Sequence, residues 1–336
     1  MNIMLYSPFE EGYNEEFRER IKTCAPGAVF NYYNDNNWSE EEYHEKLRTT
    51  DITIGIVPFD DLQYFQQLKL MQLDIAGVDF YLENPDLPKD TLLCNAGGAY
   101  GRLIAEHALA LTMALCRDLP VYCNNRLEHT WHTVRPDKPV EGSTVLILGA
   151  GDIGCCMARF LRPMLGESGR IIGTRRVVRE KPDCFDEIIC FDKVNEVLPQ
   201  ADLILCALPS TPLTRGFLNL DRLRAMKDDA VLVNVGRGSL IPLDDLCTVL
   251  NEGKFKGVGI DVAEKEPLPD DHPLWDCPRL LITPHAAGSA MTQDSPTMKR
   301  IYEIIYKNIA RFCAGQSVDH VIDRSTGYRV TNEKEI

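Results

Sequence analysis

Arg237, Glu266 and His285 each closely follow a short apolar run, at 230–234, 257–260 and 280–283. The guanidinium of Arg237 is always charged and fork-shaped, so it can hold a carboxylate or polarise a carbonyl. The imidazole of His285 can pass a proton near neutral pH. A hydrogen bond from Glu266 would orient that ring and stabilise its charged form. Taken singly they are ordinary: a surface ion-pairing arginine, a solvated loop carboxylate, one of seven histidines. Their shared position argues for chemistry. Ligands of an open parallel sheet lie outside the C-terminal ends of its strands, and all three residues arrive at that edge.

The elements that must position such an edge are legible just upstream. Residues 144–154 read T-V-L-I-L-G-A-G-D-I-G, a strand buried on both faces that ends in a G-x-G-x-x-G turn. Gly149 permits the tight turn, Gly151 lets backbone approach a pyrophosphate, and Gly154 lets a helix pack close on the strand. The amides of Asp152 and Ile153 would then sit at a helix N-terminus, where a diphosphate is favoured by hydrogen bonds and by the dipole. A second strand at 170–174 follows at β-α-β distance, so the ligand class is a dinucleotide. An NAD site usually carries an acid at the end of this second strand. Here the chain reads Gly173-Thr174-Arg175-Arg176. A hydroxyl and two guanidiniums suit a 2′-phosphate, which makes NADP the expected cofactor and NAD the other candidate.

Strands are expected at 3–6, 52–57, 73–78 and 92–94, then at 144–148, 170–174, 187–190, 203–207, 230–234, 257–261 and 280–282. Strands alternating with helical stretches imply an α/β chain with two doubly wound parallel sheets. The apolar segment 103–116 reads as a helix buried nearly all round at the domain junction. It is too short to span a bilayer and contains Glu106 and His107. Residues 117–140 read as an arm or loop, and 292–313 as a long helix returning to the first domain. The expected domains are 1–100 with 292–336, and 101–291. The polar tail, 319–336, is expected to be partly disordered.

A formal charge of -14 argues against a nucleic-acid partner and serves solubility. The 12 cysteines form no C-x-x-C pair and no zinc-spaced cluster, so no metal is expected. Free cysteines and a start without a secretory leader point to the cytoplasm, with no membrane partner. Cys155 and Cys156, in the first turn of the dinucleotide helix, read as small packing residues, with a redox role as the alternative.

The run 149–289 resembles the D-isomer-specific 2-hydroxyacid dehydrogenases. The likeness lies in G-A-G-D-I-G (149–154), L-P-S-T-P-L-T-R-G-F-L-N (208–219), N-V-G-R-G (234–238), D-V-A-E-K-E-P-L-P (261–269) and T-P-H-A-A-G (283–288). Upstream, A-G-V-D (76–79) is similar to the family's substrate-carboxylate loop and A-E-H-A-L-A-L (105–111) to its interdomain helix. Gly97 stands where the family pattern often has proline.

The resemblance implies a Rossmann cofactor domain and a flavodoxin-like substrate domain with the active site in the cleft, and a homodimer made through the cofactor domain. It makes Arg237 the substrate clamp, His285 the proton donor and acceptor, and Glu266 its partner. The amides of Ala76, Gly77 and Val78 would hold the substrate carboxylate. Val235 and Asp261 would border the nicotinamide, Asp261 near its carboxamide, and Leu208 and Pro209 would line the cofactor cleft. The implied reaction is reduction of a small 2-oxo acid, such as glyoxylate or hydroxypyruvate, to the D-2-hydroxy acid with NADPH. A different class, an NAD(H)-sensing corepressor or binding protein, also occurs on this fold. The specificity loops at 59–64, 97–102 and 287–291 give no pocket size.

Overall fold

A computed structural model describes residues 1–134, 137–177, 181–289 and 292–330. The end of the 287–291 loop and the last six residues of the tail lie outside that set. The chain divides into two compact units, Met1–Tyr100 with Met291–Ile336, and Gly101–Ala290.

In the first unit β1 (Asn2–Leu5), β2 (Val29–Tyr32), β3 (Ile52–Ile54), β4 (Leu70–Gln72) and β5 (Leu92–Cys94) form one parallel sheet in the order β2-β1-β3-β4-β5. That is a flavodoxin-like winding. Two strand expectations are corrected. β2 went unseen because it is an edge strand with Val29 exposed and Asn31 buried, so no apolar alternation marks it. The expected strand at 73–78 is instead the loop that follows β4. Gln72 disguises β4: it is fully buried, donating to Leu73 O at 2.9 Å and accepting from Asn308 Nδ2 at 2.7 Å.

The helix Pro296–Cys313 packs Tyr302 and Tyr306 at a tilt against Phe17, at 4.6 and 5.3 Å between ring centroids. Over its described part, residues 319–330, the tail is packed on the first unit. Ile322 is buried, Val321 bridges to Cys94, and Asp319 pairs with Lys307 at 2.7 Å and Arg311 at 2.6 Å.

The second unit holds β6 (Thr144–Leu148), β7 (Arg170–Arg175), β8 (Glu187–Cys190), β9 (Leu203–Cys206), β10 (Val231–Asn234), β11 (Gly257–Ile260) and β12 (Leu280–Ile282). They are all parallel, in the order β12-β11-β10-β9-β6-β7-β8. The winding reverses between β6 and β9, which is where such sheets bind their ligand. Alternate side chains of the central strands enter two cores. Leu146, Leu148, Ile204, Cys206 and Leu232 face one; Val145, Ile147, Leu203, Leu205, Val231 and Val233 face the other. Burial on both faces is why these strands read as unbroken apolar runs. Each such side chain contributes about 1.5–3 kcal/mol by leaving water.

The helix Gly101–Cys116 belongs to this unit and lies with the helix Asp152–Leu165 on the second core. It is not buried all round. Arg102, Glu106 and Ala110 form an exposed stripe, because only one face meets the sheet. The expected arm at 117–140 contains a helix, Leu119–Leu127, started by proline in its first turn. Among the described residues no helix is long and apolar enough to cross a membrane.

Candidate active site

The glycine turn is built as its motif requires. Gly149 has φ +108°, and a Cβ on Gly154 would lie 2.0 Å from Gly149 O, so only glycine lets the helix start against the strand. The first bond into that helix runs from Cys155 N to Gly151 O at 2.9 Å. The amides of Asp152, Ile153 and Gly154 precede it and have no intrahelical partner. This backbone cradle fits a dinucleotide diphosphate.

The Asp152 carboxylate is turned elsewhere, accepting from Gly101 N at 2.8 Å at the start of another helix. Cys155 and Cys156 pack against the second core. Burial and neighbouring Cys184 push the Cys155 thiol up to about 12, which makes it a packing group rather than a thiolate.

Thr174 was expected to meet a 2′-phosphate, but its side chain is completely buried. Its hydroxyl accepts from Gly149 N at 3.0 Å, and its carbonyl accepts from Ala150 N at 2.9 Å. Its part is to hold the turn. Arg175 folds back, donating from Nε and Nη2 to Ala150 O at 3.1 and 3.0 Å. Arg176, next along, is exposed. Leu208 is buried and Pro209 exposed just past β9. A Cβ on Gly236 would sit 2.7 Å from Leu208 N, so the ends of β9 and β10 are in close contact. Val235 is buried, bonded to Cys206 O at 3.0 Å.

Beyond β10, β11 and β12 the three chemically suggestive side chains stand at one sheet edge. Asn234 is buried and shapes the turn that presents Arg237. Its Oδ1 accepts from Gly236 N at 3.1 Å and its Nδ2 donates to Arg237 O at 3.0 Å. Glu266 Oε1 accepts from Ala263 N at 2.9 Å, which leaves Oε2 to meet His285 Nδ1 at 2.6 Å. The ring is thereby oriented through one nitrogen while Nε2 remains for proton exchange. His285 is half exposed and has φ +54°, an uncommon left-handed conformation for a residue with a side chain.

Asp261, which the resemblance puts near the nicotinamide carboxamide, has a carboxylate only 1% exposed. Its oxygens accept from Thr283 Oγ1 at 2.6 Å, Ala286 N at 2.8 Å and Ala287 N at 3.0 Å. It fastens the loop that carries His285. Asn234 and Thr283 were missed as functional residues. Each opens one of the family-like runs, 234–238 and 283–288, at a strand end.

In the first unit, the loop after β4 is shaped by β5. Asn95 Nδ2 donates to Ala76 O at 2.6 Å, and Ala96 N donates to Ile75 O at 2.9 Å. With these carbonyls tied, the amides of Ala76, Gly77 and Val78 make no hydrogen bond among the described residues. Three adjacent amides of this kind can take an anion.

Residues 109–287 match the family model described as "D-isomer specific 2-hydroxyacid dehydrogenase, NAD binding domain". The chain belongs to the D-isomer specific 2-hydroxyacid dehydrogenase family. It is therefore a member of a family of NAD(P)-dependent oxidoreductases, with an NAD(P)-binding domain in its second unit. An uncharacterized protein of Corynebacterium melassecola is 35% identical over 80% of this chain and 86% of its own length. Glyoxylate/hydroxypyruvate reductase A of Photorhabdus laumondii is 31% identical over 81% of this chain and 85% of its own. Among solved structures, an NADPH-dependent glyoxylate/hydroxypyruvate reductase from Sinorhizobium meliloti, in complex with NADP and sulfate, superposes with a TM-score of 0.79. It shares 25% identity and covers 97% of this chain and 99% of that one.

Proposed function

We propose that this dehydrogenase reduces a small 2-oxo acid, glyoxylate or hydroxypyruvate or one of similar size, to its D-2-hydroxy acid with NADPH. The observation that carries the reading is the Glu266–His285 pair at 2.6 Å, with Glu266 itself anchored by the Ala263 amide. When bound, the nicotinamide supplies the hydride. Protonated His285 donates the alcohol proton from Nε2, and Glu266 holds the ring and steadies its charge. Arg237 grips the carboxylate and carbonyl oxygens, a charge-assisted contact of about 1.5–3 kcal/mol. In the first unit, the amides of Ala76, Gly77 and Val78 are the anion-holding group we assign to the substrate. The amides of Asp152 and Ile153 take the diphosphate, with Leu208, Pro209 and Val235 beside the cofactor.

Three points support NADP over NAD. The end of β7 has Arg175 and Arg176 and no carboxylate, and the Sinorhizobium relative is named as NADPH-dependent. Arg176 is the residue we assign to the 2′-phosphate. A homodimer made through the second unit is part of the same reading. Leu119, Leu127 and Trp131 there are exposed apolar side chains, and sedimentation as a monomer would remove it.

The test is a panel of 2-oxo acids followed at the nicotinamide absorbance. Glyoxylate or hydroxypyruvate is expected to turn over at about ten per second, an ordinary enzyme rate. The KM for NADPH is expected to lie about tenfold or more below that for NADH, a difference of one charge-assisted contact. Binding of NADPH with no turnover of any 2-oxo acid would overturn the activity, and a preference for NADH would overturn the cofactor assignment.

A further inference from the structure

We infer that His107 is a positioning residue for the loop that carries His285. It reaches that loop from the helix Gly101–Cys116 through Thr283 and Asp261. The inference rests on the proposed role of His285.

Asp261 fastens residues 283–287 at four points. Its carboxylate takes the hydroxyl of Thr283 and the amides of Ala286 and Ala287, and its carbonyl accepts from His285 N at 2.7 Å. Such fastening is needed, since a left-handed residue is held only where its surroundings over-determine it. The hydroxyl of Thr283 has a single proton. At 2.6 Å from the Asp261 carboxylate, whose other partners are amide donors, that proton points at Asp261. Thr283 Oγ1 then offers a lone pair to His107 Nε2, 2.9 Å away. Only an Nε2–H can satisfy it, so the arrangement assigns His107 that tautomer. His107 Nε2 also lies 3.5 Å from Asp261 Oδ1, adding a favourable dipole to the same carboxylate.

The chain of donors thus runs in one direction, His107 to Thr283 to Asp261, and each bond polarises the next. Without His107, the Thr283 hydroxyl loses the partner that keeps it turned toward Asp261. One of the ties on the loop weakens, and His285 samples positions from which proton transfer is slow. Small misplacements of this kind are enough to lower turnover. In the sequence, His107 is a polar interruption of an apolar helix, within the run A-E-H-A-L-A-L.

The experiment compares His107→Phe, His107→Gln and Thr283→Val with the wild-type chain. Four quantities are read: kcat and KM for the 2-oxo acid, the dissociation constant of NADPH, and hydrogen exchange at the Ala286 and Ala287 amides. His107→Phe is expected to lower kcat about tenfold and to speed exchange at those two amides by a similar factor, while NADPH affinity stays within about twofold. Glutamine can place a donor where Nε2 stood, so His107→Gln should restore kcat to within about threefold of wild type. Thr283→Val, which removes the hydroxyl between them, should repeat the His107→Phe result and decides the matter if that variant does not fold.

Wild-type kcat and exchange in His107→Phe would overturn the proposal. Exchange accelerated throughout the second unit would also overturn it, showing a role in stability alone. If the wild-type chain reduces no 2-oxo acid, the proposed function fails, while exchange at Ala286 and Ala287 still decides the role of His107.

Discussion

His285→Gln is expected to keep NADPH affinity within about twofold of wild type and to lower 2-oxo acid reduction by about 10²–10⁴-fold, the usual range for losing a general acid. The glutamine amide can still bond to Glu266, and the loop keeps its main-chain tie from residue 285 to Asp261 O. Folding and cofactor binding therefore have no reason to change. What is lost is the dissociable proton. Steady-state reduction rates, with NADPH binding followed by fluorescence, check both the retained affinity and the lost turnover. Wild-type rates in His285→Gln would remove the residue from the mechanism.

Asp74→Asn should change how stability depends on pH. Asp74 follows β4, is 3% exposed, and its Oδ1 has no hydrogen-bond partner among the described residues. Burial raises its carboxyl from the ordinary 3.8 to about 7. The titratable groups facing it are Tyr13, Tyr81, Tyr100 and Tyr302, phenols whose own burial keeps them neutral. Between about pH 4 and 7 the folded chain keeps a proton that the unfolded chain has released. Stability therefore falls as pH rises through that window, and above it the full loss is about 4 kcal/mol. An asparagine has no such titration. The stability of Asp74→Asn relative to wild type should thus grow by roughly 2–3 kcal/mol between about pH 5 and pH 8. Denaturant unfolding of both proteins at the two pH values measures it, and parallel profiles would refute the assignment.

The parts of the fold that the chain announces are those set by local chemistry. β6, β9, β10 and β11 read correctly to within a residue because burial on both faces leaves continuous apolar runs. β2 and β4 did not, since an edge strand needs no alternation and a buried glutamine is paid no heed by hydropathy. The side-chain oxygen of Gln72 finds its donor in Asn308, 236 residues away. Likewise, the packed tail up to residue 330 depends on partners distant in the chain, Cys94 among them.

The sequence by itself determined the dinucleotide turn, the parallel α/β class, and the types of the three side chains at the sheet edge. A glycine motif or a residue just past a strand acts within a few positions of itself. Which of the remaining side chains are buried, and what they bond to, depends on the tertiary structure. Thr174 and Asp261 both stood at strand ends where direct contact was expected. Folding buries them and commits their oxygens to the glycine turn and to the His285 loop. His107 meets Thr283 across 176 residues. No spacing rule reaches that far, because such a pair exists only once the helix Gly101–Cys116 lies against the sheet.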